Sequence, residues 1–195
     1  MNEIVFDIET QNSFAEAEND LKKLKVSVVS IYSYATDTYQ SFTEDELPKL
    51  WPILEKADRV IGYNSEHFDL PVLNNYYLGN FLELPSLDLL KKIKESLGIR
   101  LKLADVAEAT LDNVGKSADG LQALRWWKEG KIDEIKKYCE QDVRVTKELY
   151  DFGRTNNQLF YKNLTGEVLP FAVDFSGNDN GQKAVKKSVN YTLPF

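Results

Sequence analysis

The chain has 195 residues, 43% of them hydrophobic and 28% charged, the balance of a folded domain with a substantial core rather than a disordered one. A formal net charge of -7 argues against broad binding to duplex nucleic acid, which depends on basic surface. The lone cysteine, Cys139, excludes an intrachain disulfide and a cysteine-based zinc site; with no apolar run of bilayer length and no signal-peptide layout, the expected location is the cytoplasm.

In chain order, Glu3-Ile4-Val5-Phe6 opens an apolar stretch that reads as the first strand, running on through Asp7-Ile8-Glu9. A polar loop over 11–24 follows. Lys25 to Ala35 is rich in β-branched and aromatic residues and predicts a second strand; Thr36-Asp37 turns the chain into a third, Thr38 to Phe42. Short joins between these three predict an antiparallel meander. At Thr43 the period changes: Thr43 and Glu46 form a capping box before Leu47, Leu50, Trp51 and Leu54 at helical spacing, with Pro48 in the first turn and Pro52 shortening the helix.

Arg59 to Tyr63 predicts a fourth strand, and Pro71 places the start of the next helix close to Asp69. Asp69 therefore lies just past the carboxyl end of a strand, where open α/β sheets bind ligands. Ser86 to Leu97 reads as a helix ended by Gly98, Leu103 to Ala109 as a shorter one, and 111–120 as a loop. Leu121 to Lys128 carries Trp126 and Trp127 on a helix stopped by Gly130, and the last helix spans about Ile132 to Phe152. Beyond it, Leu159 to Tyr161 and Val168 to Val173 predict a hairpin around Thr165-Gly166, followed by a loosely held polar tail. Residues 1–152 are read as the domain and 153–195 as its extension.

Asp7 and Glu9 sit two residues apart on a strand and project to one face, while Ile4, Phe6 and Ile8 face the other. Two neighbouring acids at the end of a buried strand repel each other and lose hydration, a cost that a bound divalent cation removes. An isolated D-x-E pair is more often a solvated strand edge, so the reading depends on further acids. On the last helix, Ile135, Tyr138, Asp142, Val145 and Leu149 follow steps of three and four residues, which puts a phenol and a carboxylate on an apolar stripe. Alone, Asp142 would be read as an acid paired with a nearby lysine.

Taken together, Phe6-Asp7-Ile8-Glu9-Thr10, Asn64-x3-Phe68-Asp69 and Tyr138-x3-Asp142 resemble, in order and spacing, the three motifs of the DEDDy 3'→5' exonucleases. Gly115 to Gly130 followed by Tyr138 to Thr146 is similar to predicted exonucleases of the YprB type. The resemblance covers about residues 1–152. It implies an α/β ribonuclease H-like fold: a mixed sheet, first three strands antiparallel, with helices on both faces. It also implies four metal-binding acids (Asp7, Glu9, Asp69 and Asp142), with Tyr138 positioning the attacking water. Lys137 occupies the place where a related subclass carries histidine.

Carboxylate oxygens suit two Mg²⁺ or Mn²⁺ ions rather than zinc. The activity implied is release of 5'-mononucleotides from the 3' end of single-stranded DNA or RNA, with a helicase or polymerase as a conceivable supplier of substrate and no role for a membrane. The alternatives are a non-catalytic nucleic-acid-binding or assembly module that keeps the fold, and an endonuclease of the same fold. Substrate contacts are expected at Thr10, Gln11, Asn64 and Phe68. Lys116, Arg125, Lys128 and Lys131 are candidates for phosphates and Trp126 or Trp127 for a base, against a plain reading of core tryptophan and solvated lysines. His67 borders the cleft or sits on a loop, and Asp88 is either a substrate-side group or a helix start.

Overall fold

The computed structural model describes residues 2–111 and 120–176. Five strands form one mixed sheet in the order β3-β2-β1-β4-β5. They are β1 (Glu3–Thr10), β2 (Val26–Ser33), β3 (Thr38–Thr43), β4 (Arg59–Gly62) and β5 (Ser86–Asp88). As the short joins predicted, β1, β2 and β3 run antiparallel, whereas β4 is parallel to β1 and β5 is parallel to β4. The carboxyl ends of β1, β4 and β5 therefore share one edge of the sheet.

The alternation of β1 divides the core in two. Ile4, Phe6 and Ile8 pack with α1 (Leu47–Leu54) and α2 (Asp69–Asn74) on one face. Val5 packs on the other face with α3 (Leu89–Leu97), α4 (Leu103–Thr110) and the long α6 (Ile132–Asn156), which α5 (Gly120–Lys128) precedes in the chain. The mixed sheet with helices on both faces matches the expectation. The capping box of Thr43 and Glu46 forms on a 3-10 turn that leads into α1, and Pro52 sits inside that helix, which stops two residues later. Glu3 is buried at the start of β1. It accepts from the Arg59 guanidinium at 2.5 and 3.0 Å and from the Tyr150 hydroxyl at 2.9 Å, tying β1, β4 and α6 together.

Two sequence expectations change. The helix expected from Ser86 begins only at Leu89, because Ser86–Asp88 pair with Val60–Gly62 as a strand. Leu87 alone fits either period; strand pairing decides it, and Asp88 becomes the N-cap of α3. On α6 the fully buried stripe runs through Ile135, Cys139, Val143, Thr146 and Leu149, so Tyr138 and Asp142 flank the stripe rather than sit on it. After α6, β6 (Gln158–Lys162) and β7 (Val168–Ala172) form an antiparallel hairpin whose Leu159 and Phe171 join the core beneath α6. Most of the stretch expected as a loop, 112–119 with Lys116, and the expected tail from 177 onward lie outside the described residues.

Candidate metal and active site

β1 delivers two of the acids. It pairs with β4 through Glu3, Ile4 and Val5; beyond them its carboxyl half stays paired with β2 on one side, while on the other β4 ends at Gly62 and the chain turns away. That turn needs glycine: a Cβ on Gly62 would lie 2.5 Å from both the Cβ and the Oγ of Ser65. Asn64, at φ 64°, then reverses the backbone, and its carbonyl accepts the amides of His67 and Phe68. The tight turn returns the chain to β1 with Asp69 as the first residue of α2.

Asp7, Glu9 and Asp142 each place a carboxylate oxygen within 4.8 Å of the others, from a strand and a helix more than 130 residues apart. Asp69 is not part of that trio but stands beside it, buried and receiving the backbone amide of Ile8. Burial first, and then the charges of Asp69, Asp142 and Glu9, hold the Asp7 carboxyl well above the usual carboxylate range. Burial, Asp142 and Asp69 do the same to Glu9. Burial pushes Asp69 up to about 7 against the lowering effect of its two amide partners. Acids that are this close and this poorly hydrated resist ionising together, and a divalent cation is the partner that removes the conflict. Hard oxygens in this number fit Mg²⁺ or Mn²⁺.

The other expected residues divide. Tyr138 is one helical turn before Asp142, half-buried, with its ring edge-on to Trp126 at a centroid distance of 6.1 Å. Cys139, its neighbour, donates its thiol to the Asp7 carbonyl at 3.3 Å; nothing in the sequence marked that contact beyond its position one residue after Tyr138. The Thr10 hydroxyl donates to the Asn12 carbonyl. Gln11 commits its amide group to the Val26 carbonyl and to Glu44, bracing the loop after β1. Phe68 lines a groove of about 670 Å³ with Phe14, Leu21, Pro71 and Leu82, and His67 stands at its rim.

Asp88 is a structural hub. Its carboxylate accepts the amides of Asn64 and Glu66 at 2.8 and 3.1 Å, and those of Leu90 and Lys91 at 3.0 and 3.3 Å. The sequence signal for this was an acid directly before the Leu89-Leu90 run, in line with the helix-start half of its two readings. Among the expected phosphate contacts, Lys128 pairs with Glu16 and Lys131 with Glu129. Arg125 reaches Gln122, and Trp126 and Trp127 pack on Val28, Ile135 and Cys139.

A sequence model of the RNase_H superfamily matches residues 4–152. The chain belongs to the RNase H superfamily. All four acids and Tyr138 fall within the matched span. Among solved structures, this RNase H superfamily chain is similar to the family B DNA polymerase of the hyperthermophilic archaeon Pyrobaculum calidifontis, with a TM-score of 0.61 at 19% identity. The alignment covers 78% of the chain but only 24% of the polymerase, so the chain spans about a quarter of that protein's length, and the likeness is one of fold. A search of curated proteins finds no match.

Proposed function

We propose that the chain is a metal-dependent 3'→5' exonuclease that hydrolyses single-stranded DNA or RNA and releases 5'-mononucleotides. The observation that carries this reading is the approach of Asp7, Glu9 and Asp142 to within 4.8 Å, with buried Asp69 at their side, in a fold whose superfamily comprises nucleases.

Divalent cations held there would supply a nucleophilic water at neutral pH and neutralise charge on the phosphoryl group and on the departing 3'-oxygen. The protein's own residues do the rest. Asp7, Glu9 and Asp142 provide the oxygens, and the rigid pairing of β1 against α6 fixes their spacing. Asp69, anchored on the Ile8 amide, supports the same centre from the α2 side. Tyr138 lies one turn from Asp142, where a phenol can orient a water, and positioning is the role assigned to it. Phe68 and its groove offer an apolar wall for a terminal base, while Asn64 shapes the turn. Gln11, with its amide group committed, acts on substrate through the loop it braces.

End-blocked oligonucleotides test the reading. With Mn²⁺, a single strand labelled at its 3' terminus should lose the label as a mononucleotide, a blocked 3' end should resist, and a blocked 5' end should make no difference. A labelled strand that stays intact, with the Asp7→Asn variant behaving identically, would contradict it. Scission of a circular single strand would make the protein an endonuclease instead.

A further inference from the structure

The chain is acidic overall, yet residues 91–102 hold five cations (Lys91, Lys92, Lys94, Arg100 and Lys102) against the single acid Glu95. This run covers α3 and the segment after it, and the structure brings it to the loop that aims Asp69. Asn64, His67, Asp88, Lys91, Lys94 and Arg100 line a concavity of about 320 Å³ there. Tyr63, the residue after β4, donates its hydroxyl to the Leu101 carbonyl at 2.9 Å and so pins the segment that carries Arg100. Arg100 in turn donates to the Asn64 side-chain oxygen at 3.0 Å.

Charge within the concavity is unevenly satisfied. Glu66 offsets Lys91 at 2.6 Å, and Asp88 turns its oxygens to four backbone amides. Among the described residues Arg100 has only the neutral Asn64 oxygen as a partner, one bond for its five N–H donors. Lys94 is exposed, and its ammonium has no partner among the described residues. Two cations without a charged partner among the described residues therefore face a hollow on the same edge of the sheet as the acids, two strands over from β1. At 4.7–4.9 Å per strand that is about 10 Å, on the order of three phosphate steps of a stacked strand.

We propose that this concavity, through Lys94 and Arg100, seats a non-scissile backbone phosphate of the single strand whose end lies at the acids. It rests on the reading above for its substrate class and adds where the strand runs: over the loop from Asn64 to Phe68 and onto α3. A guanidinium fork and an ammonium that converge on an open hollow suit a phosphate diester, and such contacts are indifferent to base sequence. The acidic remainder of the surface would keep the strand on this path.

The test reads binding and needs no turnover. A fluorescent single-stranded 12-mer is titrated with Ca²⁺ as the divalent ion, and anisotropy is followed over a range of salt concentrations. The Lys94→Glu, Arg100→Glu double variant should bind about tenfold more weakly. Its salt dependence should flatten by about 0.7 in slope for each phosphate that is no longer neutralised. Lys94→Gln with Arg100→Gln, which removes charge without adding acid, should show the same flattening and serves if charge reversal disturbs folding. Lys56→Glu, on the turn before β4 at the opposite edge of the sheet, should change neither quantity. Equal affinity and slope in the double variants, equal weakening by Lys56→Glu, or no binding by the unaltered protein would each overturn the proposal. A protein that binds with this charge dependence but never releases a nucleotide would leave the phosphate seat standing and remove only the hydrolysis.

Discussion

Asp69 shows how one side chain couples the site to stability. Its carboxyl is buried and pushed up to about 7, from an ordinary value of 3.8. The folded chain therefore holds a proton there between about pH 4 and 7 that the unfolded chain has released. Because stability changes with pH as protons bound unfolded minus protons bound folded, this group's contribution falls as pH rises through that window. Below about pH 4 both states are protonated and the penalty vanishes. In EDTA, Asp69→Asn, which keeps an oxygen for the Ile8 amide, should melt several degrees above the parent at pH 8, with the gap closing towards pH 4. A gap of the same size at both pH values would mean that the carboxyl is not held protonated by its surroundings. Asp7 and Glu9, raised by burial and then by the charges of the neighbouring acids, push the metal-free protein in the same direction.

At the scale of elements, the crossover from β4 to α2 and the start of α3 hang on one carboxylate. Asp88→Ala would leave four amides without their acceptor, at a cost of about 2–4 kcal/mol, and would free the loop that aims Asp69. Asp88→Asn keeps the oxygen that serves Asn64, Leu90 and Lys91, and should cost only about 1 kcal/mol. Urea unfolding of the two variants separates them; equal destabilisation would show that the amides find other partners. The same region marks how far the sequence could be read. β1, β2 and β3 were legible because alternation and β-branched runs carry their own period, and α6 because it is long. The three residues of β5 were hidden, since Leu87 also fits the helical stripe that follows and only pairing with Val60–Gly62 makes them a strand. Asp7, Glu9, Asp69 and Asp142 could be picked out by motif and spacing. The bonds from Gln11 to Glu44 and from the Asn64 and Glu66 amides to Asp88 could not, because those partners lie more than 20 residues away and become neighbours only in the fold.

For the whole molecule, the distribution of charge is the organising fact. A chain of net charge -7 gathers three acids within 4.8 Å, places a fourth beside them, and sets its densest run of cations on the neighbouring stretch of the same edge. Membership of the RNase H superfamily accounts for the sheet and for the meeting of β1 with α6. The resemblance to about a quarter of a DNA polymerase is one of fold. Among the described residues no helix is long and apolar enough to cross a membrane. The claim on which the proposed chemistry turns is that the four carboxylates take up hard divalent ions. Titration of the protein with Mn²⁺ at pH 7, reading free ion by electron paramagnetic resonance, tests it most directly. Saturable uptake that releases protons and is abolished or strongly weakened in Asp7→Asn is the expected result. Uptake of equal strength in the parent and in Asp7→Asn, or none in either, would contradict it.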